Sequence, residues 1–484
     1  MNPDRDRGTG SWAELLGRGH RGTSIVLSGG VLLYATNVYV TASLLPTAVR
    51  DIGGERFFAW NATAFLIASV IASMLVSKAL AARGAIGAYL LAFSIFIAGT
   101  VVCAVAPDMG VLLAGRAIQG FGGGLLSGLG FAVVRSSYPA HLWAKASGMV
   151  SGVWGLGAFA GPALGGAVAQ FGPWRLAFIV LAVVTVPIAA AVPFSLPRGD
   201  RSDASQRVPA ASLVLLTAAA TAISLVGTLP RGIWTAVAAL AAVLAVLAFL
   251  VDERRGADGV LPAATFARGS SLRWLYLTIF FVAIGINVEI FIPMIGQRLA
   301  GFPPLAAGFV GAAMSLGWTV GQIGSASASR ARTIALLRVT GPATVAVGLI
   351  LTAAFQRQGA SGPIIAVWVI GLFVAGTGIG SAFPHLSAAV MGNTADPEQG
   401  RKAAAAIGTV QLIANAFGSA YAGVLMNLGE PSTVNSARYL LLGMGLVAAL
   451  GMPTALLAAR RATRTSDAIA PDAGLKPRLN TLIT

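Results

Sequence analysis

Charge is what this sequence has least of. Across 484 residues only 10% are charged, against about 25% in a soluble globular chain. That deficit excludes a string of soluble domains. Acid is scarcer than base, 17 residues against 33. The single cysteine, Cys103, sits inside an apolar run, which excludes a disulfide framework and reads as a buried structural thiol. No Cys/His cluster has metal-ligand spacing, no GxxxxGK[ST] loop is present, and no nucleophile–base pair stands out. A metal centre, an ATP-driven pump and a membrane hydrolase are therefore disfavoured. The expectation is a non-enzymatic protein with no metal and no cofactor.

What is present is hydrophobicity, at 56% of residues. Apolar stretches of about twenty residues, each able to cross a bilayer core, recur from end to end. They fall at 23–48, 58–79, 86–106, 109–134, 146–170, 174–195, 209–228, 232–251, 273–296, 304–327, 333–355, 362–389, 402–427 and 436–459. This predicts an all-α polytopic membrane protein with 14 spans, the lipid bilayer being its first partner. An even number places both termini on one side. Of the 33 basic residues, 25 fall in the segments on that side, 7 on the other, and Arg116 lies within a span. The bias predicts cytoplasmic termini. It also explains the net charge of +16 without nucleic acid, since the basic residues occupy short loops rather than one face. The first span, preceded by Arg5, Arg7, Arg18 and Arg21, is expected to act as an uncleaved insertion signal.

An internal repeat appears at an offset of 257, where Lys145, Gly161 and Gly166 fall on Lys402, Gly418 and Gly423. Duplicated six-helix halves with a binding site between them are a common transporter build. The offset exceeds one half, leaving room for two extra helices in the middle. The expected organisation is a tail at 1–22, a bundle at 23–195, two extra helices and linkers at 196–272, a second bundle at 273–459 and a tail at 460–484. The tails and the segment 197–208 are polar and read as flexible.

Intramembrane charge marks the candidate sites. Arg116 lies in LLAGRAIQGFGGG with Gln119 and Gly120. It is read either as a coupling or gating group, or as a buried tie between helices. The fifth span carries GPALGG, whose Gly161, Pro162, Gly165 and Gly166 make a kinkable, closely packed segment. Of the 17 acids all but Glu289 fall in loops, tails or span ends. Counting along a helix, Glu289 lies roughly 24 Å from Arg273 and roughly 13 Å from Arg298 at about 1.5 Å per residue. An ionised carboxylate there is costly. A group that stays neutral while sealed and releases its proton to water suits antiport. Two other readings remain open: a ligand for a substrate cation, and a neutral Glu bonded to a neighbour such as Asn287. His385 is the only histidine in an apolar span, a relay or, more simply, a packing residue. By depth, Trp154, Trp318, Gln322, Gln411 and Asn415 are candidate cavity residues that could equally pack helices.

These segments resemble a family. LLAGRAIQGFGGG, then GPALGG, then Trp174–Arg175 in WRLAF, are similar to the fourth-to-sixth-span signature of major facilitator drug:proton antiporters. NVYVTASLLPTAVRDIGG resembles that family's first span, and VDERRGADGVLPAATFARGS and IPMIGQRLAGFPPLAAG resemble its fourteen-span branch. The resemblance spans roughly 25–455. It implies two pseudo-symmetric six-helix bundles plus two extra helices; the compact loops and Arg/Ala/Gly-rich composition suit a bacterial cytoplasmic membrane, and a monomer is expected. The resemblance further implies proton-coupled export of a small amphiphilic compound by alternating access. Two departures accompany it. The family's first-span acid falls on Asn37, which points away from strongly cationic cargo. The loop between spans two and three reads SKALAARGAIG, with Ser77, Ala81, Ala82 and Ala85 where the family has Gly, Asp and Arg. The rival readings are a proton-independent facilitator or lipid-translocating protein on the same scaffold and, more remotely, a non-transporting receptor or scaffold.

Overall fold

A computed structural model describes residues 11–197, 210–230, 232–255, 261–267, 269–325, 328–392 and 397–469. Among them are 14 helices long and apolar enough to cross a membrane, and no strand. Spans 1 to 6 are Arg21–Ile52, Phe58–Met74, Val76–Ala104, Met109–Ala132, Trp143–Phe171 and Arg175–Ser195. Spans 7 and 8 are Ala210–Thr228 and Ile233–Arg255. Span 9 begins at Leu272, and spans 10 to 13 are Pro304–Ser325, Ala331–Ala354, Gly362–Met391 and Pro397–Leu428. Span 14 is Thr433–Ala449 continued by Gly451–Ile469, so helix runs ten residues into the stretch expected to be tail. The expected flexible segment 197–208 lies outside the described residues except for Pro197, as does everything beyond Ile469.

Packing divides the helices into spans 1–6 and spans 9–14, and the repeat explains the pairing. In span 5, a Cβ on Gly161 would lie 2.3 Å from Tyr39 Cβ in span 1, and one on Gly166 would lie 2.6 Å from Leu305 Cα in span 10. In span 13, Gly418 meets Asn287 of span 9 at 2.6 Å and Gly423 meets Ala59 of span 2 at 2.4 Å. Each copy of the repeat thus packs one glycine inside its own bundle and the other across to its neighbour. Small residues at such crossings let backbones approach where no hydrophobic drive between helices exists. The tightest crossing is Gly376 in span 12, where a Cβ would sit 1.8 Å from the Met314 carbonyl oxygen. Gly376→Ala is expected to cost about 3 kcal/mol through overpacking, read as loss of the monodisperse peak in detergent.

Spans 7 and 8 form a hairpin outside the two bundles. Span 7 packs against span 13 and, less extensively, span 2, while span 8 packs on span 7. Asn427 of span 13 donates a short hydrogen bond to the Gly227 carbonyl. The hairpin's base is fixed by Glu253, which was assigned to a loop from sequence but is only 2% exposed. Its carboxylate accepts from Ser212 Oγ at 2.7 Å and from the Leu261 amide at 2.8 Å. The helix simply continues two residues past Glu253, turning it inward against span 7.

The two faces of the molecule differ. At the far face, opposite the termini, the bundles are joined by Glu55–Arg298 at 2.5 Å and by Arg50 Nη2 donating to Gln297 Oε1 at 3.0 Å. Deeper on that side, Thr63 donates to Ser419 at 3.1 Å. At the termini face, polar contacts within the first bundle include His141 with Glu14 at 2.8 Å and Ser24 with Tyr138 at 2.9 Å. Spans 5 and 10 follow the same gradient. They touch backbone to backbone at Gly166, whereas Gly155 has only Thr319 Oγ1, at 3.8 Å, and Gly152 has nothing within 4 Å. The bundles meet at the far face and diverge towards the termini.

Candidate functional site

The main departure from the sequence reading is in span 9, expected as one helix over 273–296. α-Helix runs Leu272–Gly285, a 3₁₀ segment covers Ile286–Ile290, and α-helix resumes at Ile292–Ala300. Pro293 supplies the cause. It has no N–H for the carbonyl four residues back, which belongs to Glu289, and its ring disfavours that turn. The chain tightens instead, with the Phe291 amide bonded to the Val288 carbonyl at 2.9 Å, and Pro293 enters the first turn of the new helix. Glu289 therefore sits on the break itself. Discontinuous membrane helices of this kind accompany binding sites.

Glu289 is half-buried. Its Oε1 accepts from Ser315 Oγ of span 10 at 2.5 Å. Ser315 Oγ also lies 3.2 Å from the hydroxyl of Tyr39 in span 1, and that hydroxyl faces the same carboxylate. The carboxylate is thus tied through Ser315 to the opposite bundle. Asn287 turns elsewhere, donating to the Ala283 carbonyl at 2.8 Å and to Asn415 Oδ1 of span 13 at 3.3 Å. The neighbour proposed for Glu289 from sequence is therefore replaced by Ser315 and Tyr39. Neither was selected from sequence, because hydroxyls are frequent in these helices and nothing local marks the pair that meets an acid on another span.

Residues along the same faces approach this point from the termini side. Trp318 lies one turn from Ser315 and packs against Phe383, with ring centroids 6.0 Å apart; Gln322, a further turn on, is exposed. Gln411 and Asn415 are half-buried on span 13, and Trp154 of span 5 stands edge-on to Tyr34 at 5.4 Å. His385 is not brought to this group. It is buried in the second bundle, its Nε2 3.1 Å from the Ser325 carbonyl.

Arg116 forms a second cluster, wholly in the first bundle and 1% exposed. Its Nη1 donates a short hydrogen bond to Asn37 Oδ1 and another, 2.5 Å long, to Gln119 Oε1. Nε points to the Asn61 carbonyl at 3.5 Å, and the guanidinium lies 4.1 Å from the Phe65 ring centroid. Gln119 Nε2 in turn donates to Thr100 at 2.8 Å. Gly120 lets span 4 pass Phe65, whose carbonyl oxygen would be 2.2 Å from a Cβ. Gly165 lets span 5 pass Val40 in the same way, at 2.4 Å, and Pro162 rests 3.0 Å from a Cβ on Gly308 of span 10. No group of three or more His, Cys, Asp or Glu that could hold a metal occurs among the described residues.

Comparison with known proteins agrees with this architecture. The pattern of the Major Facilitator Superfamily matches residues 27–423. A probable multidrug-efflux transporter of Mycobacterium tuberculosis is 45% identical over 464 residues, covering 94% of this chain and 98% of the relative. Multidrug resistance protein 3 of Bacillus subtilis is 26% identical, covering 84% and 85%. Among solved structures, a bacterial homologue of the human lysosomal transporter Spinster superposes with a TM-score of 0.65 at 16% identity, covering 94% and 99%. The Escherichia coli xylose transporter XylE gives 0.60 at 17% identity, covering 89% and 95%. With its paired bundles, its repeat and a match over most of its length, the chain belongs to the major facilitator superfamily.

Proposed function

We propose that this protein is a proton-coupled exporter of small amphiphilic or hydrophobic compounds, working by alternating access as a monomer in a bacterial cytoplasmic membrane with its termini in the cytoplasm. The observation that carries the reading is the bridge from Glu289 through Ser315 to Tyr39, a titratable group on a helix break hydrogen-bonded across the bundle interface. An ionised Glu289 accepts from hydroxyls on both sides of the cavity. A protonated one loses acceptor capacity and weakens the link to the first bundle. Protonation therefore interacts differently with the two arrangements of the bundles, which is the requirement for a ligand to shift a conformational equilibrium. The name of the M. tuberculosis relative, a probable multidrug-efflux transporter, supports the cargo class.

With the termini cytoplasmic, the far-face contacts close the outer side and the cavity opens inward. Substrate enters from the cytoplasm or inner leaflet past Gln322 and Trp318. Protons arrive from outside once the Glu55–Arg298 and Arg50–Gln297 contacts part.

A proton-independent facilitator stays in view for one reason. The stretch expected as a loop between spans 2 and 3 is the helical start of span 3, and neither Lys78 nor Arg83 in it forms an ion pair among the described residues. Reconstituted protein separates the two readings. In everted vesicles, an acid-inside gradient should drive accumulation of a lipophilic dye at least fivefold above the level without a gradient. Equal movement whatever the gradient establishes the facilitator.

A further inference from the structure

The Arg116 cluster has a charge imbalance that proton coupling at Glu289 leaves unexplained. The guanidinium is 1% exposed and contacts only neutral groups: two side-chain amides, one carbonyl and an aromatic ring. Glu289 is engaged by Ser315 and Tyr39, and Glu253, at the end of span 8, by Ser212 and the Leu261 amide. Asp51 is committed to Trp174 and Arg175, and Glu55 to Arg298, at the far face. A buried cation without a counter-charge is costly unless an anion reaches it.

The hydrogen-bond inventory points the same way. Gln119 is complete, accepting from Arg116 and donating to Thr100, and the Thr100 hydroxyl donates on to the Phe96 carbonyl at 2.6 Å. Asn37, 0% exposed, spends its Oδ1 on Arg116, leaving its Nδ2 without a partner. Asn61, 1% exposed, turns its main-chain carbonyl to the same guanidinium and also has an unpartnered Nδ2. Both orphaned groups are donors, and both belong to residues within reach of one cation. Other buried side-chain atoms among the described residues also lack a partner, but these two belong to residues that contact one buried cation. What would complete the cluster is an acceptor carrying negative charge.

We infer that Arg116, Asn37 and Asn61 form a binding site for a small singly charged anionic group, either a free halide ion or the carboxylate of an amphiphilic substrate. Arg116 supplies the charge, and the two amides supply fixed donors. The free-ion source is independent of the exporter reading, whereas the carboxylate source rests on it. In either case binding is read without transport, so failure of this site and failure of proton coupling at Glu289 are distinguishable.

The test is thermal unfolding of the purified full chain in neutral detergent, with sodium chloride exchanged for bulky sodium HEPES at constant ionic strength. Wild-type Tm should rise with chloride and saturate. Asn61→Ala should shift the midpoint of that titration about tenfold upward, the loss of one hydrogen bond to a charged group. Asn37→Asp places a carboxylate against Arg116. It should melt at least as high as the chloride-saturated wild type and lose the chloride dependence, which also guards against a variant that merely fails to fold. Decanoate that shifts the chloride titration in a competitive manner assigns the site to an amphiphile's carboxylate; chloride binding without competition assigns it to the free ion. A wild-type Tm indifferent to chloride and decanoate, as expected if water alone satisfies the amides, overturns the proposal, as does equal chloride dependence in Asn37→Asp.

Discussion

Glu289→Gln is expected to abolish gradient-driven accumulation, lowering it at least tenfold to the level of passive leak, while substrate affinity changes less than threefold. Glutamine keeps the size of the side chain and an oxygen that can accept from Ser315 Oγ, now 2.5 Å from the carboxylate. The break in span 9 is unaffected, because it is set by Pro293 rather than by the acid. What is lost is the titratable group: the amide can neither ionise nor exchange a proton at working pH, and one acceptor oxygen becomes a donor. A substitution that preserved the driven transport would place coupling elsewhere in the molecule. Loss of binding and transport together would indicate a direct substrate ligand instead. Measuring dye binding by fluorescence alongside accumulation separates the three outcomes.

The partners of Glu289 grade the effect. Ser315→Ala removes the hydroxyl that links the carboxylate to Tyr39. Net loss of a hydrogen bond to a charged group is about 1.5–3 kcal/mol, so the pH at which transport is half-maximal should move while driven transport persists. Tyr39→Phe, which removes only the second donor, should act in the same direction by less. A role confined to packing would leave the pH profile in place in both variants.

How legible this was in the sequence depended on whether a feature is local. The spans could be counted because each carries its own apolar run, and most helix ends agree within a few residues; the larger differences are at Val76–Arg83, helical before a break at Gly84 (φ 64°), in the broken span 9, and at the end of span 14, which continues to Ile469. The glycine repeat pointed to duplicated halves, and its paired positions Gly161 and Gly418, and Gly166 and Gly423, sit at matched crossings. The break in span 9 was available too, since Pro293 stands four residues after Glu289, but an apolar run was read as one helix. Partners on other spans were not legible. Tyr39 and Ser315 are 276 positions apart, and Asn61 meets Arg116 through a main-chain carbonyl. Periodicity places a residue on a face; which face meets which is settled by the packing of whole bundles.

That packing carries the second large expected effect. Gly166→Val should cut transport at least tenfold while leaving a folded, monodisperse protein. A Cβ at Gly166 would lie 2.6 Å from Leu305 Cα, 3.0 Å from its amide nitrogen and 3.0 Å from the Pro304 carbonyl oxygen. All three are backbone atoms, so no side-chain rotation relieves the clash. The strain falls between bundles and is relieved if spans 5 and 10 separate at the far face. Overpacking of about 3 kcal/mol is roughly a hundredfold in the balance between far-face-closed and far-face-open arrangements. A cysteine introduced at Gln297, which accepts from Arg50 across the closed far face, should then react faster with an impermeant maleimide; Cys103 is buried and contributes little background. Gly423→Val should push the same way more weakly, because it meets the Ala59 methyl at 2.4 Å rather than main chain. Gly152→Val, with open space around its Cβ, is the control expected to transport normally. Wild-type transport by Gly166→Val would mean that the far face need not close this tightly during the cycle, and the contacts at Glu55–Arg298 and Arg50–Gln297 would then be incidental to it.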